Sequence, residues 1–384
     1  MSQPQPGHEP IRLIVLFGGQ SAEHDVSCTS AAHVLAAVDP DRYVIEAIGV
    51  TRSGEMVRAE KAQALLEAGQ RPDPSGELAP LVPEGPRIEL SAEVMPVAAP
   101  ASAARPAGDT AAMRTVVLPL LHGPMGEDGT VQGLLELSDV AYVGAGVLGS
   151  AVAMDKAMAK TVLDAHGIAQ TRWLGVPERD VADDPGAVVT RIVDSLGLPC
   201  FVKPANMGSS VGVSKASTTD EVLAALHKAL RYDEMLVVEE AVVAREIELS
   251  VMGNDEVMVS VPGEIVPGAD FYDYEDKYLT GSAELIIPAE LPPEVAADLQ
   301  SRAVEAYRAL RVEGMARADF LYEDGGRGPL LNELNTIPGF TPISMYPKLW
   351  EASGLAYGDL IDRLVDLAIE RHDRRSAKRT TDRS

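Results

Sequence analysis

An uninterrupted apolar run, "IRLIVLFGG" (Ile11 to Gly19), ends in two glycines. It predicts a strand buried on both faces that runs into a tight turn. "SAEHDVSCTSAAHVLAAV" follows with helical spacing and a candidate cap at Ser21, and "YVIEAIGVT" reads as a second strand. Strand, helix, strand over this length is a βαβ unit, which commits the front of the chain to a parallel sheet covered by helices.

The pattern then breaks. From Glu55 to Arg114 there is no clear periodicity, and Met95 to Ala112 is almost entirely proline, alanine and small polar residues. This reads as an elaborated surface insertion. "TVVLPLLHG" restores the strand pattern, "DGTVQGLLELSDV" is helical in spacing, and one continuous helix is predicted from Ser150 to His166, closed by Gly167. Beyond it, "EMLVVEEAVVAREIELSVMG" alternates as antiparallel strands do, and a long helix is predicted from Pro293 to Leu310. "GMARADFLYEDGGRGPLLNELNT" reads as a hairpin with a glycine-rich turn, and a last helix spans Tyr357 to Arg371, before a polar, basic tail. The fold class is therefore α/β in front and α+β behind.

The chain has 384 residues, 46% of them hydrophobic, which suffices for two or three domains with their own cores. Its net charge of −25 argues against nucleic acid as a partner and means that a bound polyanion would need cations placed locally. Cys28 and Cys200 form no CxxC pair and read as buried free thiols, as a reducing cytoplasm allows. The start, "MSQPQPGHEP", lacks the basic residues and apolar core of a signal peptide, and no apolar run approaches the ~20 residues of a membrane span. The expectation is a cytoplasmic protein with no membrane partner.

Side chains two apart on a strand share a face. Glu333 and Asn335 therefore project together and Leu334 faces away, while Arg317 and Asp319 share a face of the preceding strand. If the two strands pair, Asp319, Glu333 and Asn335 converge as hard oxygen ligands suited to Mg²⁺ or Mn²⁺. Taken alone, the same spacing suits an exposed hairpin face carrying solvated charges.

In "FVKPANMGSSVGVSK", Lys203 ends a short strand before a loop of Gly208, Ser209, Ser210 and Gly212. Backbone N–H groups of such a loop can cradle phosphate, although a plain hairpin turn has the same composition. The spacing is not that of a Walker A loop. Gly144, Gly146 and Gly149 spell GxGxxG between a strand and a helix, which leaves a dinucleotide-binding dehydrogenase open. Its acidic partner would be Asp164, which lies inside a helical pattern rather than at the end of a strand. Glu239, Glu240, Glu246 and Glu248 stand among valines, either as solvated strand charges or as groups facing a nucleotide. "DFYDYEDKYLTGSAE" (Asp270 to Glu284) reads as a large loop of the kind that closes over active sites.

Together, "GGQSAEHDVS", "LHGPMGEDGTVQGLLEL", "GAGVLGSAVAMDK", "VKPANMGSSVGVSK", "FYDYEDKYLTGSAE", "ARADF" and "NELNTIPGFTPISMYP" resemble, in order, the motifs of D-alanine–D-alanine ligases, which are ATP-grasp enzymes. The resemblance covers about Ile11 to Ile369. It implies an ATP-grasp fold in three parts: residues 1–145 with the insertion at about 55–114, residues 146–240, and residues 241–384. It implies a reaction in which ATP phosphorylates the carboxylate of one D-alanine and the amine of a second attacks the acylphosphate, giving D-alanyl-D-alanine for peptidoglycan. The alternative is D-lactate as acceptor, or another ATP-grasp carboxylate–amine ligase. Relatives that make D-alanyl-D-lactate usually depart from "YDYEDKY", which this chain keeps.

By the same resemblance, Lys156 and Lys203 match lysines on the ATP phosphates, Glu239, Glu240 and Val242 the adenine-contacting segment, Glu246 the ribose carboxylate and Lys277 a lysine brought to the γ-phosphate. Asp319, Glu333 and Asn335 match the ligands of two divalent ions. Glu23 matches the carboxylate that binds the first D-alanine's ammonium, with His122 nearby. Ser209 and Tyr278 match a hydrogen-bonded linkage to Glu23. Arg317 matches the guanidinium on the tetrahedral oxyanion, beside the Gly339 N–H, and Ser344 and Met345 match positions around the second D-alanine. The family also implies a homodimer. His24 stands where an arginine is more usual.

Overall fold

The computed structural model describes residues 10–67, 83–90, 93, 113–266 and 284–378. The front forms β1 (Ile11–Gly18), α1 (His24–Ala37), β2 (Tyr43–Val50), β3 (Met56–Arg58), α2 (Glu60–Glu67), β4 (Thr115–Pro119), α3 (Thr130–Leu137) and β5 (Ala141–Tyr142). Its sheet runs β3-β2-β1-β4-β5, parallel except where β3 turns back on β2. Leu13 to Phe17 of β1 are fully buried, as a central strand covered on both faces must be. The structure starts α1 three residues after the predicted cap. Glu23 holds the N-cap position without a side-chain cap, while Ser21 Oγ accepts from Glu23 N at 3.2 Å in the turn before it.

Next come α4 (Val147–Met154) and α5 (Lys156–Ala165). They replace the single helix predicted here, because Asp155 adopts an extended conformation and its side chain caps α5 by accepting from Met158 N. β6 (Trp173–Pro177), α6 (Glu178–Asp183), α7 (Pro185–Leu196), β7 (Cys200–Pro204), β8 (Ser214–Ala216), α8 (Thr219–Ala229) and β9 (Met235–Glu240) follow. Their antiparallel sheet runs β6-β9-β7-β8 and is packed against α7 and α8 through Val188, Ile192, Val222 and Leu226.

The last part holds β10 (Arg245–Gly253), β11 (Val257–Val259), β12 (Gly263–Val266), β13 (Glu284–Ile286), α9 (Pro293–Ala309), β14 (Gly314–Glu323), β15 (Gly328–Asn335), α10 (Met345–Ala352) and α11 (Tyr357–Ser376). Its antiparallel sheet runs β13-β12-β10-β14-β15, with β11 also on β10. β9 and β10 are both antiparallel strands, as their alternation predicts, and belong to different sheets.

Two packing contacts cross the boundaries expected from sequence. Ala153, Ala159 and Leu163 of α4 and α5 share a core with Leu299, Ala303 and Phe320 of the large sheet and its helix, while Ala157 on the other side of α5 packs against Ala205 and Val237 of the middle sheet, so α5 is shared between the two parts. The apolar stripe of α11 (Leu360, Ile361, Leu364, Val365) packs under the first sheet against Leu13, Val15 and Leu35. There Arg371 is buried, donating to the carbonyls of Tyr142 and Gly144 and lying 4.3 Å from the Tyr142 ring centroid.

The GxGxxG glycines serve this same packing. A Cβ at Gly149 would stand 2.9 Å from the Arg311 carbonyl oxygen, and one at Gly314 would stand 2.7 Å from the Gly144 carbonyl oxygen. Asp164 sits on α5, bonded to Gln170 and to the Trp173 indole. The glycines thus bring the backbones of two domains together, as close approach demands.

Candidate active site

The turns after β1 and β4, the β7–β8 loop, the β9–β10 junction and the β14–β15 hairpin enclose one cavity of about 520 Å³. Carboxylates outnumber cationic side chains in its lining.

The hairpin wall follows from strand pairing. Asp319 lies directly opposite Glu333, and Arg317 opposite Asn335. A bulge then shifts the register, so that Phe320 pairs with Leu331 and Asn332 is the extra residue. Leu331 and Leu334 are three apart and would face opposite sides of a regular strand. The bulge lets both enter the core, 0% and 4% exposed, while Glu333 and Asn335 face the cavity. Arg317 grips Asp319 through two bonds of 2.7 Å and meets Glu248 Oε2 at 2.9 Å; Asn335 Nδ2 donates to Asp319 Oδ2 at 2.8 Å. Burial works against the Arg317 charge, but Asp319 and Glu248 more than offset it and raise its pKa well above the ordinary arginine value. Among the described residues no group of three or more His, Cys, Asp or Glu side chains could hold a metal. The hairpin set is two carboxylates and an amide.

The lysine wall stands opposite. Lys156 opens α5, donates to the Met207 carbonyl at 2.7 Å and lies 3.7 Å from Glu333 Oε2. Lys203 at the end of β7 meets Glu239 Oε1 at 2.9 Å. In the β7–β8 loop that follows, Ser209 and Ser210 both adopt left-handed backbone, φ +48° and +57°. This conformation costs a residue with a Cβ about 1 kcal/mol and turns the loop toward the first domain. There a Cβ on Gly208 would come within 3.5 Å of Glu23 Oε2.

At the floor, His122 is buried; its Nδ1 lies 2.9 Å from the Ile337 carbonyl, and its Nε2 has no hydrogen-bond partner among the described residues. A carbonyl only accepts, so Nδ1 carries the proton there. Glu127 was not singled out in the sequence, although it lies within one of the motifs. It accepts from Gly123 N at 2.6 Å, and burial together with the nearby Glu23 charge pushes its pKa up to about 8, against the pull of backbone N–H groups of Gly123 and Ile337.

The matches with known proteins follow the same lines. The family model described as D-ala D-ala ligase N-terminus covers residues 12–145, and that described as D-ala D-ala ligase C-terminus covers residues 162–366. The chain belongs to the D-alanine–D-alanine ligase family. It is 44% identical to the D-alanine–D-alanine ligase of Chloroherpeton thalassium over 96% of this chain and 99% of the relative. The D-alanine–D-alanine ligase structure from Coxiella burnetii superposes with a TM-score of 0.75 at 34% identity, covering 96% of this chain and 97% of that one. A D-Ala:D-Ser ligase structure, VanG from Enterococcus faecalis, matches with a TM-score of 0.74 at 31% identity, over 94% of this chain and 100% of that one. These neighbours carry the expected fold class, an ATP-grasp arrangement behind a parallel-sheet domain.

Of the residues singled out by sequence, the cavity lining contains Glu23, His122, Lys156, Lys203, Ser209, Arg317, Asp319, Glu333, Asn335 and Gly339, together with Glu239, Glu240, Val242 and Glu246. Two of the acids on the middle sheet are each shared by two cations. Glu239 holds Lys203 and Lys160, and Glu240 is clamped by Arg172 at 2.8 Å and Arg327 at 2.6 Å. Ser344 lies beside the lining, bonded to Thr341 and close to Gly339. The Met345 side chain packs against Leu349 and against Ile265, which itself lines the cavity. Lys277 and Tyr278 lie outside the described residues, as do most of the insertion and the end of the tail.

Proposed function

We propose that the protein joins two D-alanine molecules into D-alanyl-D-alanine, converting ATP to ADP and phosphate, and thereby supplies a peptidoglycan precursor. The observation that carries this reading is the meeting of Lys156 and Lys203 with Arg317, Asp319, Glu333 and Asn335 across one cavity, in a chain of this family.

Lys156 and Lys203 hold the nucleotide phosphates, with the α5 N-terminus and loop N–H groups beside them. Val242 and the backbone of Glu239 to Val242 receive the adenine, and Glu246 the ribose. The donor set Asp319, Glu333 and Asn335 fits Mg²⁺ or Mn²⁺: all hard oxygens, on an acidic wall that would otherwise repel a polyphosphate. Two such ions, when bound, neutralise phosphate charge as the phosphoryl group moves.

Glu23 orients the first D-alanine by its ammonium, so that the D-alanine carboxylate oxygen attacks the γ-phosphorus, ADP leaves and an acylphosphate is formed. The unpartnered His122 Nε2 accepts a hydrogen bond from substrate on this side. The amine of the second D-alanine then adds to the acyl carbon. Arg317 and the Gly339 N–H stabilise the oxyanion, and phosphate leaves as the amide forms. Ser209, Ser344, and Lys277 and Tyr278 on the large loop complete the pocket. Such an enzyme works in the cytoplasm, where ATP is found, and by family likeness as a homodimer. Among the described residues, no helix is long and apolar enough to cross a membrane.

Mass analysis of products from ATP, Mg²⁺ and D-alanine, with D-lactate or D-serine offered as competing acceptor, tests the proposal. D-alanyl-D-alanine with one phosphate per dipeptide is expected. Phosphate release without dipeptide, or a dominant ester product, would move the chain to another ATP-grasp activity.

A further inference from the structure

Lys160 is 2% exposed and lies behind Glu239, outside the cavity lining. It sits one helical turn beyond Lys156 on α5, so both lysines leave the same face of the helix. Its Nζ is 3.5 Å from Glu239 Oε1, the same oxygen that Lys203 approaches to 2.9 Å, and 3.4 Å from Thr171 Oγ1. Thr171 in turn donates to Glu239 Oε2 at 2.9 Å. One carboxylate, 4% exposed at its side chain, therefore serves two ammonium groups, only one of which faces the cavity.

A buried lysine at a position where an apolar side chain would pack calls for a reason, because dehydrating an ammonium is costly even when it is paired. Burial does push the Lys160 pKa below the ordinary lysine value, against the pull of Glu239. Burial alone would raise the Glu239 pKa, yet Lys203, Lys160 and the Thr171 hydrogen bond bring it down to about 2. The two ammonium groups and the Thr171 hydroxyl thus favour the charged carboxylate. If Lys203 were its only cation, moving Lys203 toward a phosphate would strand that charge in a dry site.

We propose that Lys160 is a standing counter-ion that keeps Glu239 satisfied when Lys203 swings from the carboxylate to the nucleotide phosphates. Lys160 is then a positioning residue, acting on the phosphate contact through Glu239. The inference rests on Lys203 being a phosphate ligand.

The test measures ATP binding by calorimetry, and KM and kcat for ATP, in the full-length protein with Mg²⁺. Without Lys160, Glu239 should pin Lys203. Lys160→Met is expected to raise KM and Kd for ATP about tenfold while kcat changes less than about threefold. Adding Glu239→Gln removes the trapping charge, so the double variant should bind ATP better than Lys160→Met alone, a sign that a merely structural role would not give. If Lys160→Met does not fold, Thr171→Val reads the same coupling, with a KM rise of about threefold expected. Unchanged ATP binding in the Lys160 or Thr171 variant, or a double variant weaker than either single one, overturns the inference. Wild-type protein that turns over ATP with no loss of binding in Lys203→Ala would instead overturn the phosphate role of Lys203 on which it stands.

Discussion

The two walls of the cavity solve the same electrostatic problem in opposite ways. On the lysine wall, two ammonium groups share one dry carboxylate, leaving an excess of positive charge. On the hairpin wall, one guanidinium is shared by Asp319 and Glu248 with Glu333 close by, leaving an excess of negative charge. On the proposed function, a magnesium nucleotide would bring each wall its complement: anionic phosphate for the first, divalent cations for the second. The contrast also shows why cationic residues face an acidic chain's ligand without being free in its absence. Each is held by an acid from which the ligand can take over.

The largest effect expected from breaking this contrast is on the acidic wall. Asp319→Asn should lower kcat by roughly 10²- to 10³-fold in phosphate release, with a thermal midpoint within a few degrees of wild type. Arg317 keeps Glu248 in that variant, so no buried charge is stranded. Full activity would remove Asp319 from the ion site. On the lysine wall, Lys203→Ala should act on binding instead. KM for ATP is expected to rise by roughly ten- to a hundredfold, with a smaller change in kcat, in initial-rate measurements at varied ATP. Matching signatures from the two variants would erase the distinction between the walls.

A smaller effect belongs to the floor. Glu127 has its pKa raised from the ordinary 4.5 to about 8, by burial first and Glu23 second. Between those values the unfolded chain has released a proton that the folded chain keeps. Stability from this group therefore falls as pH rises through that window and levels off above about pH 8. In metal-free protein, Glu127→Gln should flatten the slope, with a gain over wild type on the order of a few kcal/mol by pH 8 and little at pH 4.5. Urea unfolding at the two pH values checks it. The smallest effect is Ser210→Gly, which relieves left-handed backbone and should add about 1 kcal/mol or less in thermal unfolding.

Much of this was readable in the sequence, because period-two and period-3.6 patterns are local. The βαβ start and the face shared by Arg317, Asp319, Glu333 and Asn335 follow from alternation alone. The bulge at Asn332 has a sequence signal: Leu331 and Leu334 cannot both be core on a regular strand. Asp155 was likewise a visible cap inside an apolar pattern that otherwise runs on. Other features depend on distant partners. Glu239 reads as a solvated or nucleotide-facing acid until Lys160, Thr171 and Lys203 are brought around it from three other elements. The seating of α11 under the first sheet and of α4 and α5 against the third is equally invisible, since an amphipathic stripe does not say which core receives it.

The most direct test of the two-wall account is Mn²⁺ binding in the ADP complex, counted by electron paramagnetic resonance in wild type and in Asp319→Asn. The account predicts two ions per chain, fewer than two in the variant, and nucleotide affinity carried over through the lysines. Equal ion counts in both proteins would contradict it.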